Sequence, residues 1–115
     1  MRKQNAMLMT DFYKLGHADQ YPVGTTKVYS TWTPRQSRIA DITEVVAVGG
    51  QAMVKEFIAD FFNENFFDRP LDEVKAEFIR IVKNTLGIAN PNFDRMEALH
   101  NLGYLPLRIR ALPEG

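Results

Sequence analysis

The 115 residues carry 14 Lys plus Arg against 14 Asp plus Glu, so no net field draws the chain onto nucleic acid or an anionic membrane, and neither partner is expected. Apolar types make up 45% and charged types 24%, the mixture of a globular domain able to bury roughly two-thirds of the surface its unfolded chain exposes. The absence of cysteine excludes disulfides, thiolate nucleophiles and Cys-based metal sites, and the early apolar run Ala6 to Met9 is far too short for a signal core or membrane span, so the cytoplasm is the expected compartment.

In chain order, Thr10 followed by Asp11 predicts a helix start, with Thr accepting an orphan N–H and the acid complementing the dipole, and the helix is expected to run to about Gln20. Pro22 and Gly24 signal a turn. Thr25 to Thr33 then predicts a strand, with Val28, Ser30 and Trp32 on one face and Lys27, Tyr29 and Thr31 on the other, ended by Pro34. Glu44 to Val48 predicts a short buried strand that meets a helix at Gly49 and Gly50. From Gln51 onward, Val54, Phe57, Ile58, Phe61 and Phe62 recur at helical spacing.

Pro70 opens a second strong helix striped by Leu71, Val74, Phe78, Ile81 and Val82 and closed by Gly87. Asn90 and Pro91 predict the start of a shorter helix carrying Phe93, Met96 and Leu99 and stopped by Gly103. The final segment alternates, with Leu105, Leu107, Ile109 and Ala111 inward and Arg108 and Arg110 outward, and predicts a strand. The order of helix, strand, strand, three helices, strand predicts an α+β fold, its helices packed on a small mixed sheet. A strong strand that runs straight into Pro113, Glu114 and Gly115 is the pattern of a chain continuing into a hairpin, so a truncated or split protein is expected.

Chemistry-bearing residues gather in the first third, where Asp11, Tyr13, Lys14 and His17 fall within two turns and Tyr13 and His17 share a face. An aromatic ring among polar groups can stack on a flat heterocycle and bind its substituents. The other reading is that both side chains pack at a helix-to-sheet junction, and spacing alone favours it. Lys27, Arg35 and Arg38 could surround a phosphate, although loop arginines are usually only solvated. Around His100 no second His, Asp or Glu at metal-ligand spacing forms a recognisable site, and no Walker-type loop, G-x-S-x-G elbow or G-x-G-x-x-G fingerprint is present.

The run Thr10-Asp11-Phe12-Tyr13-Lys14, then His17, Gln20-Tyr21-Pro22, Thr26-Lys27-Val28-Tyr29-Ser30 and Arg35, resembles the start of nicotinamide phosphoribosyltransferases. The first element is shared more loosely with nicotinate phosphoribosyltransferases, whereas the Q-Y-P and K-V-Y-S elements point to the nicotinamide enzymes. The closing Leu105-Pro106-Leu107-Arg108-Ile109-Arg110-Ala111-Leu112-Pro113-Glu114-Gly115 resembles a second segment of the same family in the same register. Phe12, where a smaller residue is frequent, and the compact stretch between Arg35 and Val45 depart from the family pattern.

The resemblance implies that residues 1–115 form a partial N-terminal α+β domain of a type II phosphoribosyltransferase, without the barrel-like catalytic body. It implies transfer of phosphoribosyl from phosphoribosyl pyrophosphate to nicotinamide, giving nicotinamide mononucleotide and pyrophosphate for NAD synthesis. It further implies Mg carried with the pyrophosphate, coupling to ATP, and a homodimer with its site at the subunit interface. By position Tyr13 is the residue that stacks on the nicotinamide ring, Asp11 lines the same pocket and Arg35 contacts phosphate or pyrophosphate oxygens. Most of the active site is then expected outside this chain, which is not expected to catalyse alone. The alternative is a stand-alone, non-catalytic module that docks on a full-length phosphoribosyltransferase.

Overall fold

The computed structural model describes residues 3–115. Helices carry the fold. A short 3-10 helix, Ala6–Leu8, is followed by a nine-residue 3-10 helix, Phe12–Gln20. After a long extended stretch comes α1, which opens with an α-turn at Gly50–Ala52 and continues in π-helical winding through Met53–Phe61 and Asn63–Phe67. Helices α2 (Leu71–Leu86) and α3 (Asp94–Leu102) complete the set.

Local chemistry accounts for α2 and α3. Pro70, whose missing N–H costs nothing before the first turn, precedes α2, and Asp72 and Glu73 sit at its positive end with Lys83 in its last turn. Gly87 (φ 69°) and Gly103 (φ 84°) end α2 and α3 in the left-handed conformation that a side chain would resist. The expected Asn90–Pro91 start of α3 lies too early. Asn92 Oδ1 accepts the Asp94 N–H at 2.8 Å, and the helix begins there. The first site-bearing helix likewise begins one residue late, with Asp11 at its N-cap and no side-chain cap bond from Thr10 or Asp11.

The core is formed where α1, α2 and α3 meet the N-terminal segment. Ala6, Phe66, Val74 and Met96 are buried together, with Met7, Phe61, Phe62, Phe67, Leu71, Phe78, Phe93 and Leu99 packed around them. Phe66 is fully enclosed and meets Phe67 at a centroid distance of 4.9 Å and His100 at 5.2 Å, both edge-on. Burial of such a side chain contributes about 1.5–3 kcal/mol.

The expected α+β architecture is not what forms: among the described residues there are helices and no strand or sheet. The stretches 25–34, 44–48 and 105–112 lack ladder partners, although the first and last alternate as a strand's side chains would and the second is a β-branched apolar run. A strand is completed by a neighbour's N–H and C=O groups, which periodicity cannot report. Their apolar side chains stay outside the core, Trp32 at 92% exposure and Val48 at 79%. The bulk dimensions agree. The radius of gyration is 17.3 Å, against about 13 Å for a compact chain of this length. The accessible surface is 9948 Å², against about 6,400 Å² for a compact monomer of this mass. Near the chain end, Gly115 donates its N–H to the Ala47 carbonyl (3.1 Å) and the Gln51 N–H is bound by Glu114 Oε1 (2.9 Å), which brings 113–115 to the start of α1.

Candidate functional site

The 3-10 helix Phe12–Gln20 presents the residues singled out from the sequence, and none of its residues is buried. Gly16 at its midpoint is a weak helix former, and tight 3-10 winding sets side chains three apart above one another. Tyr13 is 66% exposed. Its ring meets the His17 ring edge-on, with centroids 5.5 Å apart and planes at 61°, so the face-sharing expected from their spacing is present. The Lys14 ammonium lies 5.7 Å from the centre of the Tyr13 ring and 3.3 Å from Asp11 Oδ2. Asp11, Tyr13 and Lys14 thus form one contiguous polar and aromatic patch. An exposed pair of this kind is worth at most about 1 kcal/mol, so Lys14 and Asp11 can exchange each other for a ligand at little cost.

Arg35 stands apart. It lies in the exposed extended stretch, and among the described residues its side chain makes no hydrogen bond or ion pair to Asp11 or Tyr13. Lys27 and Arg38 lie in the same exposed stretch. Arg108 and Arg110 are exposed as well. No helix among the described residues is long and apolar enough to cross a membrane. Among these residues no group of three or more His, Cys, Asp or Glu side chains converges to hold a metal ion.

A second polar cluster, missed from the sequence, holds the segment from which the site helix emerges. Arg69, in the corner between α1 and α2, is 3% exposed. Its Nη2 donates to Glu73 Oε1 (2.6 Å) and Glu77 Oε1 (2.7 Å), and its Nη1 donates to Glu77 Oε2 (3.1 Å) and the Gln4 carbonyl (2.8 Å). The Glu77 carboxylate above all, offset in part by burial, pushes the guanidinium pKa above its ordinary value. Asn5 Nδ2 donates to the Val74 carbonyl (3.1 Å) and to Glu77 Oε2 (3.3 Å), and Asn5 Oδ1 caps the Met7 N–H (3.1 Å). Asn65 Oδ1 accepts the Gln4 N–H at 2.9 Å. His100 Nε2 donates to the Arg69 carbonyl at 2.8 Å, which draws α3 into the same corner. The available signal was the spacing of Arg69, Glu73 and Glu77 at four-residue steps.

Comparison with known proteins gives this patch a context. Residues 5–109 match the family described as nicotinamide phosphoribosyltransferase, N-terminal domain. The chain is also similar to a protein of Acinetobacter baylyi (strain ATCC 33305 / BD413 / ADP1) named nicotinamide phosphoribosyltransferase, at 40% identity over 116 residues. That alignment takes in 96% of this chain and 23% of the relative, so the chain spans about a quarter of the relative's length. No solved structure matches.

Proposed function

We propose that this chain, which belongs to the nicotinamide phosphoribosyltransferase family as its N-terminal domain, contributes one aromatic wall of a nicotinamide site. The observation that carries the reading is Tyr13. A large aromatic ring left two-thirds exposed, oriented edge-on by His17 and flanked by Asp11 and Lys14, is available for a planar ligand instead of its own core. A side chain on this one helix can cover only one face of such a ligand, so the remaining walls come from other groups.

The reaction we assign joins the pyridine nitrogen of nicotinamide to C1′ of the ribosyl group as the C1′–oxygen bond to pyrophosphate breaks. Nicotinamide mononucleotide and pyrophosphate are the products. Tyr13 would hold the ring so that its nitrogen lies in line with the breaking bond, and such orientation is a large part of what a catalyst of a two-substrate reaction supplies. Asp11 would accept hydrogen bonds from the carboxamide side of the pocket. Arg35 would bring a planar, always-charged fork to phosphate or pyrophosphate oxygens once the extended stretch is seated. Magnesium belongs to the pyrophosphate substrate in this account. A homodimer with its site at the subunit interface, ATP coupling and a cytoplasmic setting complete the proposal.

A chimera tests it, in which this chain replaces the matching quarter of the Acinetobacter baylyi protein. The proposal expects the chimera to form nicotinamide mononucleotide from nicotinamide and phosphoribosyl pyrophosphate. A folded chimera without that activity, beside an active parent, contradicts it.

A further inference from the structure

Packing holds the site helix only weakly, since none of the residues in Phe12–Gln20 is buried and only Leu15, Gly16 and Ala18 are partly covered. What stands just before it is anchored instead. Tyr13 lies eight residues beyond Asn5, and Asn5 and Ala6 are both buried against the helical body. Four hydrogen bonds hold Gln4 and Asn5 to Asn65, Arg69, Val74 and Glu77, across sequence separations of 61 to 72 residues. These contacts are polar and directional. An apolar side chain could slide along the α1–α2 surface, but a carboxamide with its donor and acceptor both engaged fits one register only.

The cluster is a poor choice for stability alone. Arg69 is a buried charge whose Nε has no hydrogen-bond partner among the described residues, and well-packed apolar residues in place of a buried ion pair are often as stable or more so. Fixing a register is the role that suits it. At the far end of the site helix Asp19 meets Arg95 of α3 at 3.4 Å, but this pair is exposed and weak.

We propose that the Asn5–Arg69–Glu77 cross-link is a positioning device, which sets where the Tyr13 helix leaves the α1–α2–α3 body. Asn5, Arg69 and Glu77 are positioning residues here and touch no substrate. That Tyr13 is the residue worth positioning rests on the nicotinamide reading above, but the cross-link can be tested without any ligand.

The absence of native cysteine permits clean labelling. Nitroxides at Gln20→Cys on the site helix and Lys83→Cys on α2, both exposed, report their separation by pulsed electron paramagnetic resonance. The otherwise unaltered sequence should give one narrow distance distribution. Asn5→Ala should broaden it while hydrogen exchange in α2 keeps its protection. Asn5→Asp is the sharper variant, because it retains an acceptor for the Met7 N–H but loses the donor to Val74 and Glu77. It should broaden the distribution as Asn5→Ala does. A narrow, unshifted distribution in Asn5→Asp would show that only the local cap matters and overturn the proposal. So would loss of α2 protection in both variants, which would make the cluster a general strut. In the chimera, Asn5→Asp should lower turnover tenfold or more, on the order expected for a misplaced reacting group. A broadened distribution with unchanged turnover would leave the cross-link in place and remove the nicotinamide reading of Tyr13.

Discussion

Arg69 and its two acids show how unequal formally similar ion pairs are. The Glu77 carboxylate is mostly buried against Arg69, whereas that of Glu73 is more than half exposed. Glu77→Ala therefore leaves a guanidinium enclosed without its main partner and is expected to destabilise the chain by about 3–5 kcal/mol. Glu73→Ala is expected to cost about 1 kcal/mol or less. Urea titrations of the two variants separate these values, and equal losses would contradict the assigned burial. The sign of the Arg69 shift has its own consequence. A group with a raised folded pKa contributes stability that is present below its unfolded value and lost only as pH rises through the folded one. Both values lie beyond the range in which the fold is studied, so Arg69 adds no slope to stability between neutrality and pH 10. In the site itself, the Tyr13–His17 pairing was legible because positions four apart neighbour each other on an α-helix, and the two long side chains still meet edge-on although the winding is 3-10. Arg35, expected beside them, stands apart instead, because its place depends on the path of an exposed stretch that no local rule sets.

Helix α2 was legible from sequence almost to the residue, because Pro70, its apolar stripe and Gly87 are local signals that act within one turn. Gly87→Ala should destabilise the chain by about 1–2 kcal/mol, the cost of holding a side chain in the left-handed region. Thermal unfolding reads this directly, and an unchanged midpoint would contradict the cap. Helix α1 was legible as a helix, but its fully buried positions were not. Of its expected stripe Val54, Phe57, Ile58, Phe61 and Phe62, the last two do pack against the core, whereas Val54 and Phe57 stay about half exposed along the π-helical winding, which closes hydrogen bonds one residue later than an α-helix. Phe66 and Asn65, beyond that stripe, are buried instead. Phe66→Ala is accordingly expected to cost about 3–5 kcal/mol, and Phe57→Ala, at a half-exposed ring, distinctly less. The three expected strands failed for the opposite reason to the success of α2. Thr25 to Thr33, Glu44 to Val48 and the segment from Leu105 have strand chemistry, but a sheet is a relation between distant segments, and no ladder forms among the described residues.

The helical body and the unpaired extended stretches give the chain two kinds of surface. The body is closed around Phe66, Val74 and Met96, while Val46, Val48, Leu107, Ile109 and Leu112 present apolar side chains to water. Such a surface predicts concentration-dependent self-association of the isolated chain, and Ile109→Lys should weaken it. Sedimentation velocity checks this, with an ideal monomer at every concentration as the contrary result. The sole tryptophan, Trp32, should be quenched by acrylamide almost as freely as indole in solution. In the chimera its quenching should fall, the result expected when the rest of the relative covers the extended stretch. Both results concern surfaces, and neither decides the role of the one residue on which the function rests. That role is measured by the turnover of the chimera with Tyr13 replaced. Tyr13→Phe keeps the ring and should stay close to the unaltered chimera, whereas Tyr13→Ala should lose on the order of a hundredfold in kcat. Equal kcat in all three proteins would show that the Tyr13 ring does not orient nicotinamide and would contradict the account.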